Sequence, residues 1–151
     1  MAISLLLLVN TSFDDGNFAD VASGYSLALA EGSSGNRNYQ SIAELAWAAG
    51  SLVTTVEELA LFLDALLLDE ELLSAESLEA MLGDIPDGAD YGLGLAPGTD
   101  FGVGHDGSIF GFNSTAQLNP ETGEMLILVV NNDARRPSIP SELITELTGL
   151  G

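Results

Sequence analysis

A single histidine, with no cysteine and no lysine anywhere in 151 residues, narrows the chemistry open to this chain. The histidine lies in Gly104-His105-Asp106-Gly107-Ser108. Glycines around a polar run allow a ligand to approach the backbone closely; the plainer alternative is a histidine on a surface loop. Gly24-Tyr25-Ser26-Leu27-Ala28 has the outline of a nucleophile elbow, and with His105 and an aspartate it would give an acyl-transfer triad. An elbow needs a buried strand before its serine and a helix after it. Residues 20–23 make a poor strand, so Tyr25 reads as a packed loop aromatic. Asp84, Asp87 and Asp90 recur around Pro86 and Gly88 but lack the spacing and terminal glutamate of a calcium loop, which leaves a solvated turn. Asp69-Glu70-Glu71 reads as a solvated helix end, and Gly92-Leu93-Gly94 as a tight strand rather than a phosphate loop.

The missing residue types exclude as much as the present ones suggest. Twenty-three acidic side chains face three basic ones, Arg37, Arg135 and Arg136, for a formal net charge of -20. Such a surface repels nucleic-acid phosphates and anionic membrane faces. Without cysteine there is no disulfide, zinc-thiolate site or thiol nucleophile, and without lysine no amine base or Schiff base. No cofactor is implied. Hydrophobic residues make up 46% and charged ones 17%, so the chain is apolar enough to fold as one domain over residues 1–151. Charge of almost one sign opposes compaction unless salt screens it, as in salt-adapted proteins. The aliphatic run at residues 5–9 is too short to span a bilayer and lacks the flanks of a signal peptide; it reads as a buried strand or core-packed segment. The compartment is left open.

The elements that must position these residues are clearest from Thr54 onward. Thr54 and Thr55 each precede a glutamate by three residues, the spacing of a capping box. Leu59, Phe62, Leu63, Leu66 and Leu67 then recur at helical spacing, with Glu57, Glu58, Asp64 and Asp69 pointing elsewhere, which predicts an amphipathic helix of about four turns. A second helix is expected from Ser74 as N-cap, through Leu78, Met81 and Leu82, to Gly83 as its left-handed stop. Strands are expected at residues 91–95, 101–104, 112–118 and 124–131, the last two joined as a hairpin through Asn119-Pro120-Glu121-Thr122-Gly123. Continuous apolarity from Met125 to Val130 predicts a central strand covered on both faces. A short helix at residues 141–147 closes the chain behind Pro140. Helices and an antiparallel sheet in this order make an α+β fold, the sheet flanked by helices.

Taken in order, several segments resemble the C-terminal part of the serine β-lactamase-like family, in the branch that holds class C β-lactamases, D-alanyl-D-alanine carboxypeptidases and related esterases. They are Ala48-Ala49-Gly50-Ser51-Leu52-Val53-Thr54-Thr55, Glu57 to Phe62, Leu72 to Leu78, Tyr91-Gly92-Leu93-Gly94, Gly104-His105-Asp106-Gly107 with Gly111-Phe112-Asn113-Ser114, and Val129-Val130-Asn131-Asn132. Asn10-Thr11-Ser12-Phe13 and Ala22-Ser23-Gly24-Tyr25 look like upstream segments of the same family. The resemblance implies an incomplete β-lactamase-like (penicillin-binding protein-like) fold and a serine acyl-transfer site built from three motifs. Only the third, Lys-x-Gly or His-x-Gly on a sheet strand, maps here, onto His105-Asp106-Gly107. It implies that His105 lines the cleft and helps bind or polarise the substrate. Gly107 would let substrate backbone lie along the strand, and the Ser108 N–H would be one oxyanion donor.

The other two motifs are missing. Ser-x-x-Lys cannot occur without lysine, and no tyrosine here begins Tyr-x-Asn. In the family both lie N-terminal to the matched region, which leads to the expectation of a fragment carrying one wall of a site for a small acyl or peptide substrate. Such a fragment is inactive until an N-terminal partner supplies the nucleophile. The alternative is a non-catalytic binding module or decayed remnant. A fragment would expose sheet edges and apolar surface, including Leu5 to Leu8, and would self-associate or stay partly ordered in low salt.

Overall fold

A computed structural model describes residues 8–13, 21–26, 46–83, 91–97 and 101–134. The expected helix at 141–147, the aspartates at 84, 87 and 90, and Leu5 to Leu7 lie outside them.

Thr55 starts the first helix, α1 (Val56–Leu67), because its hydroxyl accepts the N–H of Glu58 at 3.2 Å and so satisfies one of the four amides left open at a helix start. The expected reciprocal half of the capping box does not form. Glu58 does not point to solvent with its acidic neighbours; its side chain is buried and turned onto residues 10 and 11. Of the expected stripe of α1, Leu63, Leu66 and Leu67 are buried and Leu59 and Phe62 pack partly buried at the core margin, while Ala65, outside that expectation, is buried as well. The helix closes at Leu68, whose N–H reaches the Asp64 carbonyl. Asp69, Glu70 and Glu71 beyond it are exposed.

Ser74 caps the second helix, α2 (Ala75–Gly83), its hydroxyl accepting the Ser77 N–H at 3.2 Å. Leu78 is its one buried residue, with Met81 and Leu82 packed at the margin of the core. Gly83 is the last helical residue and is absent from the glycines with positive φ, so the expected left-handed stop is not found there.

Two sheets accompany the helices. A short ribbon pairs β1 (Ser12–Phe13) with β2 (Leu52–Val53), antiparallel. The larger sheet has the order β3 (Ala96–Pro97), β4 (Val103–Ile109), β5 (Phe112–Leu118), β6 (Met125–Val130), all antiparallel. The expected hairpin between β5 and β6 is present. Asn119 organises it, its side-chain oxygen accepting the N–H groups of Glu121 and Thr122 while its carbonyl accepts that of Gly123. The core lies between α1, α2 and one face of this sheet, and its members are Leu63, Leu66, Leu67, Leu78, Leu95, Ala116 and Leu118. Leu118, paired with Val103 on one side and Met125 on the other, is wholly buried.

Three strand expectations change. Residues 91–95 are not a strand: the Gly92 N–H bonds the Leu95 carbonyl at 2.7 Å and Gly94 takes φ 85°, so the alternating Tyr-Gly-Leu-Gly-Leu pattern folds into a tight turn ahead of β3. The strand expected to end at residue 104 continues to Ile109, because β5 pairs with it residue for residue from Val103↔Leu118 to Ile109↔Phe112. The polar composition of His105-Asp106-Gly107-Ser108 reads as a loop in sequence, yet cross-strand pairing holds it extended. Finally, β6 is the end strand of the described sheet rather than a central one, and Val129 is 52% exposed.

Candidate functional site on strand β4

Strand alternation fixes how β4 presents its residues. Val103, His105, Gly107 and Ile109 share one face, and Gly104, Asp106 and Ser108 the other. Since Val103 pairs with Leu118 and His105 with Ala116, the imidazole belongs to the face that carries the helix-packed core. It stands at the outer margin of that face, where β4 passes from the core to solvent, and His105 is exposed.

Tyr91 shares that margin. Its ring centroid is 5.4 Å from that of His105 with the planes at 82°, an edge-to-face contact. The turn at 92–94 carries Tyr91 to this point, anchored behind by buried Leu95 and by the pairing of Ala96 with Gly104, one residue before the histidine. The sequence motif singles out His105 but not Tyr91. The only signal was the Tyr-Gly-Leu-Gly run itself, which carries no hint of a partner fourteen residues on.

Gly107 lies on the same face as His105, opposite Ser114. A Cβ there would run into the Ser114 hydroxyl, a side-chain atom that can turn aside, so the glycine lets the two strands meet with that rotamer undisturbed. Ser108 is exposed and stands opposite Asn113, which is 3% exposed and donates through its amide to the Asn132 carbonyl at 3.0 Å. Between Ile109 and Phe112 the chain reverses at Phe110-Gly111, with Gly111 at φ 83°.

Ser26, the serine of the elbow-like run, goes elsewhere. Its hydroxyl donates to the carboxylate of Asp133, which also accepts the Gly111 N–H at 3.2 Å. Its partner is a carboxylate and not the imidazole, and Tyr25 just before it forms an isolated parallel bridge with Asn132. Ser26 therefore ties residues 21–26 to the end of β6. Tyr25 is 48% exposed, more open than the packed aromatic expected from sequence. No group of three or more His, Asp or Glu that could hold a metal ion occurs among the described residues. No described helix is long and apolar enough to cross a membrane.

A buried carboxylate braces the start of α1. Glu58 accepts the N–H and the side-chain amide of Asn10, each at 2.8 Å, and the hydroxyl of Thr11. Burial acts to raise its pKa, but the hydrogen bonds from Thr11 and Asn10 outweigh it and hold the carboxyl below its ordinary range.

A four-stranded antiparallel sheet packed by two helices has a solved counterpart in fold. A D-stereospecific amidohydrolase from Streptomyces sp., an enzyme of the penicillin-binding protein/β-lactamase fold, superposes with a TM-score of 0.71 over 99% of this chain at 24% identity. The likeness is one of fold. The chain is α+β, an antiparallel sheet flanked by helices, and it spans 46% of the length of that amidohydrolase, as the expectation of an incomplete β-lactamase-like fold requires. No protein-family model and no curated protein matches the chain.

Proposed function

We propose that this chain forms the sheet-side wall of a serine acyl-transfer site for amide or ester substrates, related to β-lactamases and D-alanyl-D-alanine carboxypeptidases, and that it is inactive without an N-terminal part carrying Ser-x-x-Lys and Tyr-x-Asn. The observation that supports this best is the placing of His105 and Gly107 on one face of β4, with the imidazole exposed at the margin of the core. A carbonyl substrate laid along β4 would have its oxygen near the Ser108 N–H. When a serine hydroxyl supplied from outside attacks that carbonyl, the C=O electron pair moves onto oxygen, and a fixed N–H there stabilises the charge more than it stabilises the ground state. His105 binds or polarises the same substrate. The chain contributes no lysine to take the proton from the attacking hydroxyl, so that base must come with the nucleophile. The neighbour's D-stereospecific amidohydrolase activity makes D-amino-acid amides the first substrates to try.

The experiment is acylation followed by intact mass. The chain is incubated with a fluorescent penicillin or an activated ester, alone and with an N-terminal segment bearing Ser-x-x-Lys. No adduct on the chain alone, and one on the added segment's serine in the mixture, is the expected result. An adduct on Ser26 or another serine of this chain would overturn the division of labour. The complete lack of lysine favours a second reading, a non-catalytic remnant that has kept the wall but not the chemistry. On that reading the mixture shows no adduct, while a D-amino-acid amide still perturbs His105 or, in a fully decayed chain, does not.

A further inference from the structure

We infer that Tyr91 is the positioning residue for His105: its ring fixes the orientation of the imidazole at the site, an inference that rests on the reading of His105 as substrate-facing. The two rings meet edge to face at 5.4 Å, the geometry favoured by the opposed charges of ring edge and ring face. A tyrosine that served only to fill the core would be buried, yet Tyr91 is 50% exposed, and its neighbour in space is exposed as well. The local structure brings the two rings together. Gly94 at φ 85° and the hydrogen bond from the Gly92 N–H to the Leu95 carbonyl turn the chain back on itself, while Leu95, 4% exposed, pins the turn to the core. Pairing of Ala96 with Gly104 then sets the register, so that Tyr91 arrives over the residue after Gly104. An exposed imidazole with no neighbour would rotate about both side-chain torsions, whereas one held by Tyr91 presents a fixed edge to a ligand and arrives already ordered.

His105 is the only histidine, so its two ring carbon protons are a unique pair of signals in a proton NMR spectrum of the whole chain. Wild type is compared with Tyr91→Phe, Tyr91→Leu and Tyr91→Ala, each titrated with N-acetyl-D-phenylalanine amide. The expected result is a ring-current displacement of the His105 signals that persists in Tyr91→Phe and vanishes in Tyr91→Leu, which keeps the bulk of the side chain but not its ring. The amide moves those signals in wild type and Tyr91→Phe, and its affinity falls about threefold to tenfold in Tyr91→Leu, as expected for loss of one aromatic pair. Unchanged His105 signals in Tyr91→Leu and Tyr91→Ala would overturn the pairing whatever the site binds. Loss of the ring current with no response to the amide in wild type would instead overturn the reading of the site, and with it the positioning role. Equal amide affinity in Tyr91→Leu and wild type would reduce the pair to packing.

Discussion

Glu58 and Asn10, 48 residues apart in sequence, are joined by two hydrogen bonds of 2.8 Å to a single carboxylate oxygen. The second oxygen takes the Thr11 hydroxyl, which itself lies 2.6 Å from that of Thr54. Through this carboxylate the start of α1 holds residues 10 and 11 in place, and with them the β1–β2 ribbon. Because the folded pKa is lowered, its stabilising effect is present above the carboxyl's unfolded value and is lost as pH falls through the folded one. Glu58→Gln keeps the shape but offers one neutral acceptor in place of a charged pair, so the variant is expected to be less stable than wild type at pH 7. The gap should narrow steadily below about pH 4, where wild type also loses the charge. Urea unfolding of both proteins across that range measures it, and a gap independent of pH would contradict the assignment.

Leu118 tests the core. It is fully buried, in the middle strand pair of the sheet and against the helices. Leu118→Ala removes three carbons from a packed site and is expected to cost about 2–5 kcal/mol. For a domain of this size that is a large share of the whole stability, roughly 5–15 kcal/mol, so the variant should melt far below wild type in calorimetry.

Gly104 and Gly107 are expected to respond differently to the same added methyl. At Gly104 a Cβ would sit 2.0 Å from the carbonyl oxygen of Ala116, a backbone atom that cannot turn aside. At Gly107 the obstacle is the Ser114 hydroxyl, which can rotate away. Gly107→Ala should therefore cost about 1 kcal/mol and be rescued by Ser114→Ala, whereas Gly104→Ala should cost more, about 3 kcal/mol, with no rescue from position 114. Thermal melts of the four variants decide it.

Salt should stabilise the fold. With a net charge of -20 and only three arginines, repulsion among carboxylates acts over distances that about 0.1 M salt screens beyond roughly 10 Å and 1 M salt beyond roughly 3 Å. The midpoint of thermal unfolding is expected to rise between 0.05 and 1 M KCl, values chosen to bracket about these screening lengths. In the lower salt the chain should show partial order by circular dichroism. A sharp melt that ignores salt would remove the electrostatic account.

How much of this was legible in the residues depends on the kind of signal. The apolar stripe of α1 and the caps at Thr55 and Ser74 rest on interactions within three or four residues, and both helices stand where the spacing puts them. The β5–β6 hairpin was equally plain from its turn residues. What failed was decided across the sheet. The residues around His105 are polar and glycine-rich like a loop, so their pattern alone does not show the strand that the family resemblance implies; the register with β5 makes Val103 to Ile109 that strand. The turn at Tyr91 mimicked a strand because glycine alternating with large residues has the period of one. The spacing sets Glu58 off the apolar stripe and makes it a capping-box partner, but nothing local shows that Asn10 and Thr11 arrive to surround it.

The parallel bridge between Tyr25 and Asn132 bears on the order in which the molecule comes together. Asn131 reaches back 108 residues to the Ser23 carbonyl, and Ser26 reaches forward 107 to Asp133. The β4–β5 hairpin closes over two residues and the β5–β6 hairpin over a handful, so both can form early at small cost in chain entropy. A clasp spanning more than a hundred residues has no such head start, and it secures nothing until the sheet it grips exists. Residues 23–26 should thus be the last to dock and the first to let go, making the far end of β6 the place where unfolding of this chain begins.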